Sequence, residues 1–122
     1  MKEFIKVFVT IFFVYLFSYS YSYSACSNYR DFVLINEVNT GNNKVELFVL
    51  PNIVPVGTTF TVSACSSTPG AQVCNSGNVT YNGTTNYLVV TLASVTNNKE
   101  YIDIIVYQGT DVVDYLNLYV PT

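Results

Sequence analysis

Phe32 to Leu50 reads FVLINEVNTGNNKVELFVL. Two apolar, β-rich runs flank the polar break Asn39-Thr40-Gly41-Asn42-Asn43. Alternation on either side of a Gly/Asn break is the signature of a β-hairpin. In the second arm Val45, Leu47 and Val49 point one way, and Lys44 and Glu46 the other. In the first arm Val33 and Ile35 fall on one face and Phe32, Leu34 and Val38 on the other. Apolar residues on both faces predict a central strand there.

Working downstream, Pro51 and Pro55 mark loop or edge, because proline donates no ladder hydrogen bond. Thr58 to Ala64 resumes the alternation, with Phe60, Val62 and Ala64 inward and Thr59, Thr61 and Ser63 outward. A Cys65–Cys74 excursion follows, and Gly77 to Tyr81 is a short strand ended by Asn82-Gly83. Tyr87 to Ala93 sends Leu88, Val90 and Leu92 to the core, and Thr96 to Lys99 makes a turn. Glu100 to Tyr107 sets Ile102, Ile104 and Val106 against Tyr101, Asp103 and Tyr107. Asp111 to Val120 sets Val113, Tyr115 and Tyr119 opposite Leu116, Leu118 and Val120.

No window carries a 3.6-residue period. Six or seven short strands, with turn signals about every ten residues, predict an all-β chain: an antiparallel, immunoglobulin-like β-sandwich over residues 32–120. The 122 residues, half of them apolar and 11% charged, suit one folded domain rather than disorder.

Upstream, Lys2 and Lys6 precede an apolar run, Val7 to Phe17, broken only by Thr10. As a helix the run spans about 16 Å, short of the roughly 30 Å of a bilayer core. A Ser/Tyr alternation then leads to Ala25-Cys26. This order is that of a secretory signal peptide, residues 1–25, followed by a linker, residues 26–31. An uncleaved anchor is the alternative. Export implies a secreted, periplasmic or cell-surface protein, with membrane contact only through the signal segment or a lipid on Cys26. The part after the signal carries three positive and seven negative side chains, a net charge of −4 with no basic run. That excludes nucleic-acid binding through phosphate contacts.

In an exported chain Cys65 and Cys74 make a disulfide, with Thr68-Pro69-Gly70 turning the chain between them. The closed loop contributes on the order of 2–3 kcal/mol. Two thiols without histidine form a poor zinc set. Cys26 is left over. It is open to lipid attachment, to pairing with a cysteine past residue 122 if the chain continues, or to a free or intermolecular thiol. Ser24-Ala25-Cys26 resembles a bacterial lipobox, with Tyr23 where that pattern has an aliphatic residue.

The chain has no histidine, so the usual general base and the Ser-His and Cys-His nucleophile pairs are missing. Glu37 and Glu46, symmetric about the hairpin turn, are the one carboxylate pair to consider, and a glycosidase would need them about 5–10 Å apart in a cleft. Solvated framework carboxylates are the plainer assignment. Asp103, Asp111 and Asp114 fall short of the dense oxygen loop that Ca²⁺ requires. No cofactor or metal is expected. Asn78 and Asn82 head formal glycosylation sequons. Tyr101, Tyr107, Tyr115 and Tyr119 form an aromatic face, either a binding surface or cross-strand packing within the sheet.

Three stretches also carry a family likeness: Leu34-Ile35-Asn36-Glu37-Val38, Val45-Glu46-Leu47, and Tyr87-Leu88-Val89-Val90 with Ile104 to Tyr107 and Asp111-Val112-Val113-Asp114. Together they resemble the lamin-tail domain, an immunoglobulin-like module of nuclear lamins and many exported bacterial proteins. The chain departs from it in lacking the tryptophan section after the second strand and in its Cys-bracketed insertion. The resemblance implies a non-catalytic binding or scaffolding module. The expected function is therefore an exported, non-enzymatic module of cell-surface structure or adhesion, with a protein or surface glycan as partner. The alternatives are an accessory domain of an extracellular enzyme, such as a nuclease with its catalytic part past residue 122, and a small lipoprotein held by Cys26.

Overall fold

The computed structural model describes residues 28–66, 72–96 and 101–121, which build seven antiparallel strands and no helix. The signal segment and Cys26 lie outside these residues, as do the Thr68-Pro69-Gly70 turn and residues 97–100. The strands are β1 (Val33–Asn39), β2 (Lys44–Val49), β3 (Thr59–Ser66), β4 (Cys74–Thr80), β5 (Tyr87–Thr91), β6 (Tyr101–Gln108) and β7 (Asp111–Tyr119). They form a three-stranded sheet, β1-β2-β5, and a four-stranded sheet, β4-β3-β6-β7.

Period-two patterning makes the core between them. Val45, Leu47 and Val49 of β2 and Leu88 and Val90 of β5 meet Phe60, Val62 and Ala64 of β3 and Ile102, Ile104 and Val106 of β6. All are at most 4% exposed. Burying each of these larger side chains contributes about 1.5–3 kcal/mol before entropic costs. The inward and outward assignments for β2, β3, β5 and β6 therefore agree with the sequence.

The opening hairpin is present, with β1 and β2 antiparallel and Val33 opposite Val49. Its first arm is not central, however, but the edge of its sheet. The two-faced apolarity has another cause. Ile35 pairs with Leu47 and Glu37 with Glu46, so Asn36 is an extra, bulged residue. The bulge inverts the parity and returns Val38, opposite Val45, to the face of Val33 and Ile35. Leu34 stays outside, 41% exposed.

A second bulge alters β7. Val106 pairs with Asp114 and Tyr107 with Val112, which leaves Val113 extra and buried in the core. Val113 thus does not share a face with Tyr115 and Tyr119, as strict alternation predicts. Asp114 falls on the inner side, where its Oδ2 accepts from the backbone N–H of Ile35 at 2.7 Å. β1 lies beside β7 here, and β4 beside β5 at the other side of the sandwich.

β4 begins at Cys74, earlier than the Gly77 start read from the sequence. It is a sparse strand, with Asn75, Gly77 and Val79 turned inward. A Cβ on Gly77 would stand 2.8 Å from Val90 Cγ1 and 3.1 Å from Leu92 Cδ2, so glycine lets the two sheets close at this side. β4 pairs with β3. In the constant-type immunoglobulin order the fourth strand joins the sheet of the first, second and fifth. Here covalent and hydrogen-bonded links hold it to the third.

Candidate functional site

Those links occupy the outer face of the four-stranded sheet. Four alternate rungs of the β3–β4 hairpin are joined through side chains. Thr59 and Thr80 share a hydroxyl hydrogen bond of 2.8 Å. The Thr61 hydroxyl donates to Asn78 Oδ1 at 2.8 Å. Ser63 and Ser76 hydroxyls meet at 2.7 Å. Cys65 and Cys74 close the series as a disulfide between paired strand residues. Such a bond belongs to an oxidising, extracellular-type environment.

Along the same face the sheet continues into β6 and β7. Tyr101, Asp103, Ile105 and Tyr107 of β6 all point outward, alternating with buried Ile102, Ile104 and Val106. The bulge at Val113 brings Tyr115, Asn117 and Tyr119 out beside them, opposite Ile105, Asp103 and Tyr101. The four tyrosines singled out in the sequence therefore share one face. Tyr101 and Tyr119 lie ring to ring at 5.0 Å, tilted by 43°. Tyr107 is half-buried, at the far end between Thr61 and Val112.

Asp103 organises the centre. Its Oδ1 accepts from the Tyr115 hydroxyl and from Asn117 Nδ2, each at 2.7 Å. The hydrogen bond to a carboxylate holds the Tyr115 proton and raises its pKa above the ordinary tyrosine value. The result is a phenol of fixed direction in an aromatic strip, next to a strip of Thr, Ser and Asn side chains. Such a surface offers ring faces for stacking and hydroxyl and amide groups for hydrogen bonds. Ile105, Asn117 and the hydroxyl series were not singled out from the sequence. Their signal is register, which places outward residues of four strands side by side.

Glu37 and Glu46 are direct cross-strand partners on the outer face of the other sheet. Asn36 Nδ2 donates to Glu46 Oε1 at 2.7 Å, and Lys44, Asn39 and Val89 surround a small hollow there. Beside them Phe48 and Tyr87 pack at 5.3 Å. Asp103, Asp111 and Asp114 do not converge: they oppose Asn117, Gln108 and Val106. Among the described residues no three His, Cys, Asp or Glu side chains gather to hold a metal. A larger open hollow, about 370 Å³, lies between Arg30, Asp31 and Val112 to Tyr115. Both oxygens of its Asp114 are already engaged, by Ile35 N–H and Tyr115 N–H.

No family model, curated protein or solved structure matches the chain.

Proposed function

We propose that this chain is an exported, non-enzymatic binding module of cell-surface structure or adhesion, docking a glycan or a protein through the outer face of its four-stranded sheet. One observation carries this reading. Tyr101, Tyr115 and Tyr119 stand on that face 53%, 56% and 54% exposed. Tyrosine is enriched at interfaces because it adds a large, rigid contact area and a hydrogen-bonding tip at low entropic cost. The fixed Tyr115 phenol and the neighbouring hydroxyls add directional contacts. Membership of the lamin-tail family is part of the proposal and rests on the three short motifs.

The test is a depletion assay of the full chain against insoluble polysaccharides, and in a second arm against surface proteins of the producing cell. Tyr119→Ala and Tyr101→Ala should each weaken binding about tenfold or more, the scale of an aromatic contact. Tyr87→Ala, on the opposite sheet, should leave it unchanged. Equal binding by all three variants would sink the assignment of the face. Retention on polysaccharide identifies a glycan partner, and retention only on the protein fraction identifies a protein.

A further inference from the structure

Tyr115-Leu116-Asn117-Leu118-Tyr119 reads the same in both directions. This half of β7 also lies at one edge of the four-stranded sheet, with β4 at the other. Among the described residues β7 hydrogen-bonds as a strand only to β6. From these two facts we infer that the chain dimerises by antiparallel pairing of β7 with β7 of a second copy, about a two-fold axis at Asn117.

Edge strands are normally protected by charge, proline, a bulge or shortness. β5 is only five residues long. β1 carries its bulge and Glu37. The first half of β7 has the Val113 bulge and lies beside β1, tied through Asp114 to Ile35. From Tyr115 to Tyr119, the second half of a nine-residue strand, there is no charge, no proline and no bulge. Leu116, although on the core side, is still 37% exposed.

A two-fold contact must be self-complementary, and this strand is. With Asn117 opposite Asn117, Leu116 meets the second copy's Leu118, and Tyr115 meets its Tyr119. The next rung sets Asp114 against Val120, so no carboxylate faces another. One rung further the bulged Val113 opposes Pro121, which lacks an N–H. Pairing therefore stops at the same rung on both sides. The side chains sort correctly as well. Leu116 and Leu118 cover each other on the core side, and the tyrosines lie on the outer face.

The dimer joins two four-stranded sheets into one of eight. On its outer face a row runs from Tyr101 through Tyr119 to the second copy's Tyr115 and Ile105. Two half-platforms become one continuous aromatic surface. Dimerisation does not depend on what that surface binds.

Sedimentation velocity of the full chain over a concentration series tests it. The expected result is a monomer–dimer equilibrium. Asn117→Lys sets two ammonium groups face to face at the axis and should weaken association about tenfold or more, while circular dichroism stays that of a β-protein. In a Cys26→Ser background, Asn117→Cys should cross-link alone under mild oxidation. Tyr115→Cys and Tyr119→Cys should cross-link only when mixed. A monomer at every concentration overturns the inference. So does a dimer that survives Asn117→Lys, or cross-linking of Tyr115→Cys to itself, since each requires another surface.

Discussion

Asp114 and Ile35, 79 residues apart, are joined by a 2.7 Å hydrogen bond from the Ile35 backbone N–H to Asp114 Oδ2. The bond crosses from the edge of one sheet to the edge of the other. The bulge at Val113 turns Asp114 inward to reach Ile35, and the bulge at Asn36 follows directly after Ile35. Irregular positions in both strands thus meet in the contact that closes this side of the sandwich.

Replacing Asp114 removes that contact and also the acceptor for Tyr115 N–H. Asp114→Ala should cost about 1.5–3 kcal/mol, the range for a hydrogen bond to a charged group. Asp114→Asn keeps one acceptor oxygen and should cost less. Urea unfolding curves of the two variants give the comparison, and equal losses would show that the Ile35 bond carries no weight.

Asn43 ends the opening turn in the left-handed region, φ 57°. Its side-chain oxygen accepts from Val95 N–H at 3.0 Å, and its carbonyl from Leu92 N–H at 2.8 Å. Asn43→Gly keeps the backbone conformation but leaves the Val95 amide without this acceptor, a loss of about 1–3 kcal/mol. Asn43→Ala adds about 1 kcal/mol or more for left-handed backbone. Thermal melts should rank wild type above Asn43→Gly above Asn43→Ala.

Gly77 faces the core where β4 approaches β5. A methyl group there meets Val90 Cγ1 at 2.8 Å, side by side with Leu92. Gly77→Ala should therefore destabilise by about 1–3 kcal/mol through overpacking, although the same change at an open site stabilises by up to about 1 kcal/mol. A gain in melting temperature would mean that the sheets are not this close.

The regular part of this fold is legible because burial and alternation agree. Leu88 and Val90, or Ile102, Ile104 and Val106, announce their face without help. Bulges are not legible in the same way. One extra residue at Asn36 or Val113 flips the parity, and nothing in LINEV or DVVDY marks where the ladder slips. β4 starts late in the sequence reading because CNSGNVT offers only Val79 as a large apolar inward residue. The disulfide follows from the spacing of the two cysteines and from the expectation of export. For the site, alternation alone put Tyr101, Asp103 and Tyr107 together. Their junction with Tyr115, Asn117 and Tyr119, and with Thr61 and Ser63, needs strand order, a long-range property. The palindrome in β7 is visible to any reader, but its position at an edge is not.

The Cys65–Cys74 bond and the side-chain hydrogen bonds along the same face both hold β4 to β3, so the hairpin has two kinds of link. Reduction should lower stability by on the order of 2–3 kcal/mol without changing the strand content. Denaturant unfolding with and without a phosphine reductant, followed by far-ultraviolet circular dichroism, measures both. Loss of the β signal on reduction alone would show that Thr59, Thr61 and Ser63 cannot keep the register themselves.

Tyr115 provides a direct probe of the proposed face. Its hydroxyl donates to Asp103, so losing the proton would set a phenolate against a carboxylate. Hydrogen bonding to Asp103 is the main reason that its pKa lies above the ordinary value near 10. The sign of the linkage follows. The neutral phenol is favoured in the folded state, so its contribution is complete below the unfolded pKa. It is lost as the pH rises through the higher folded value. Difference titration at alkaline pH, wild type against Tyr115→Phe, should assign a raised pKa to the Tyr115 phenol. Asp103→Asn should bring that phenol back toward the common tyrosine range, because the amide lacks the charge that opposes ionisation. If Tyr115→Phe removes no phenol with a raised pKa, Asp103 does not fix the Tyr115 hydroxyl in solution. The face would then have no directional donor at its centre.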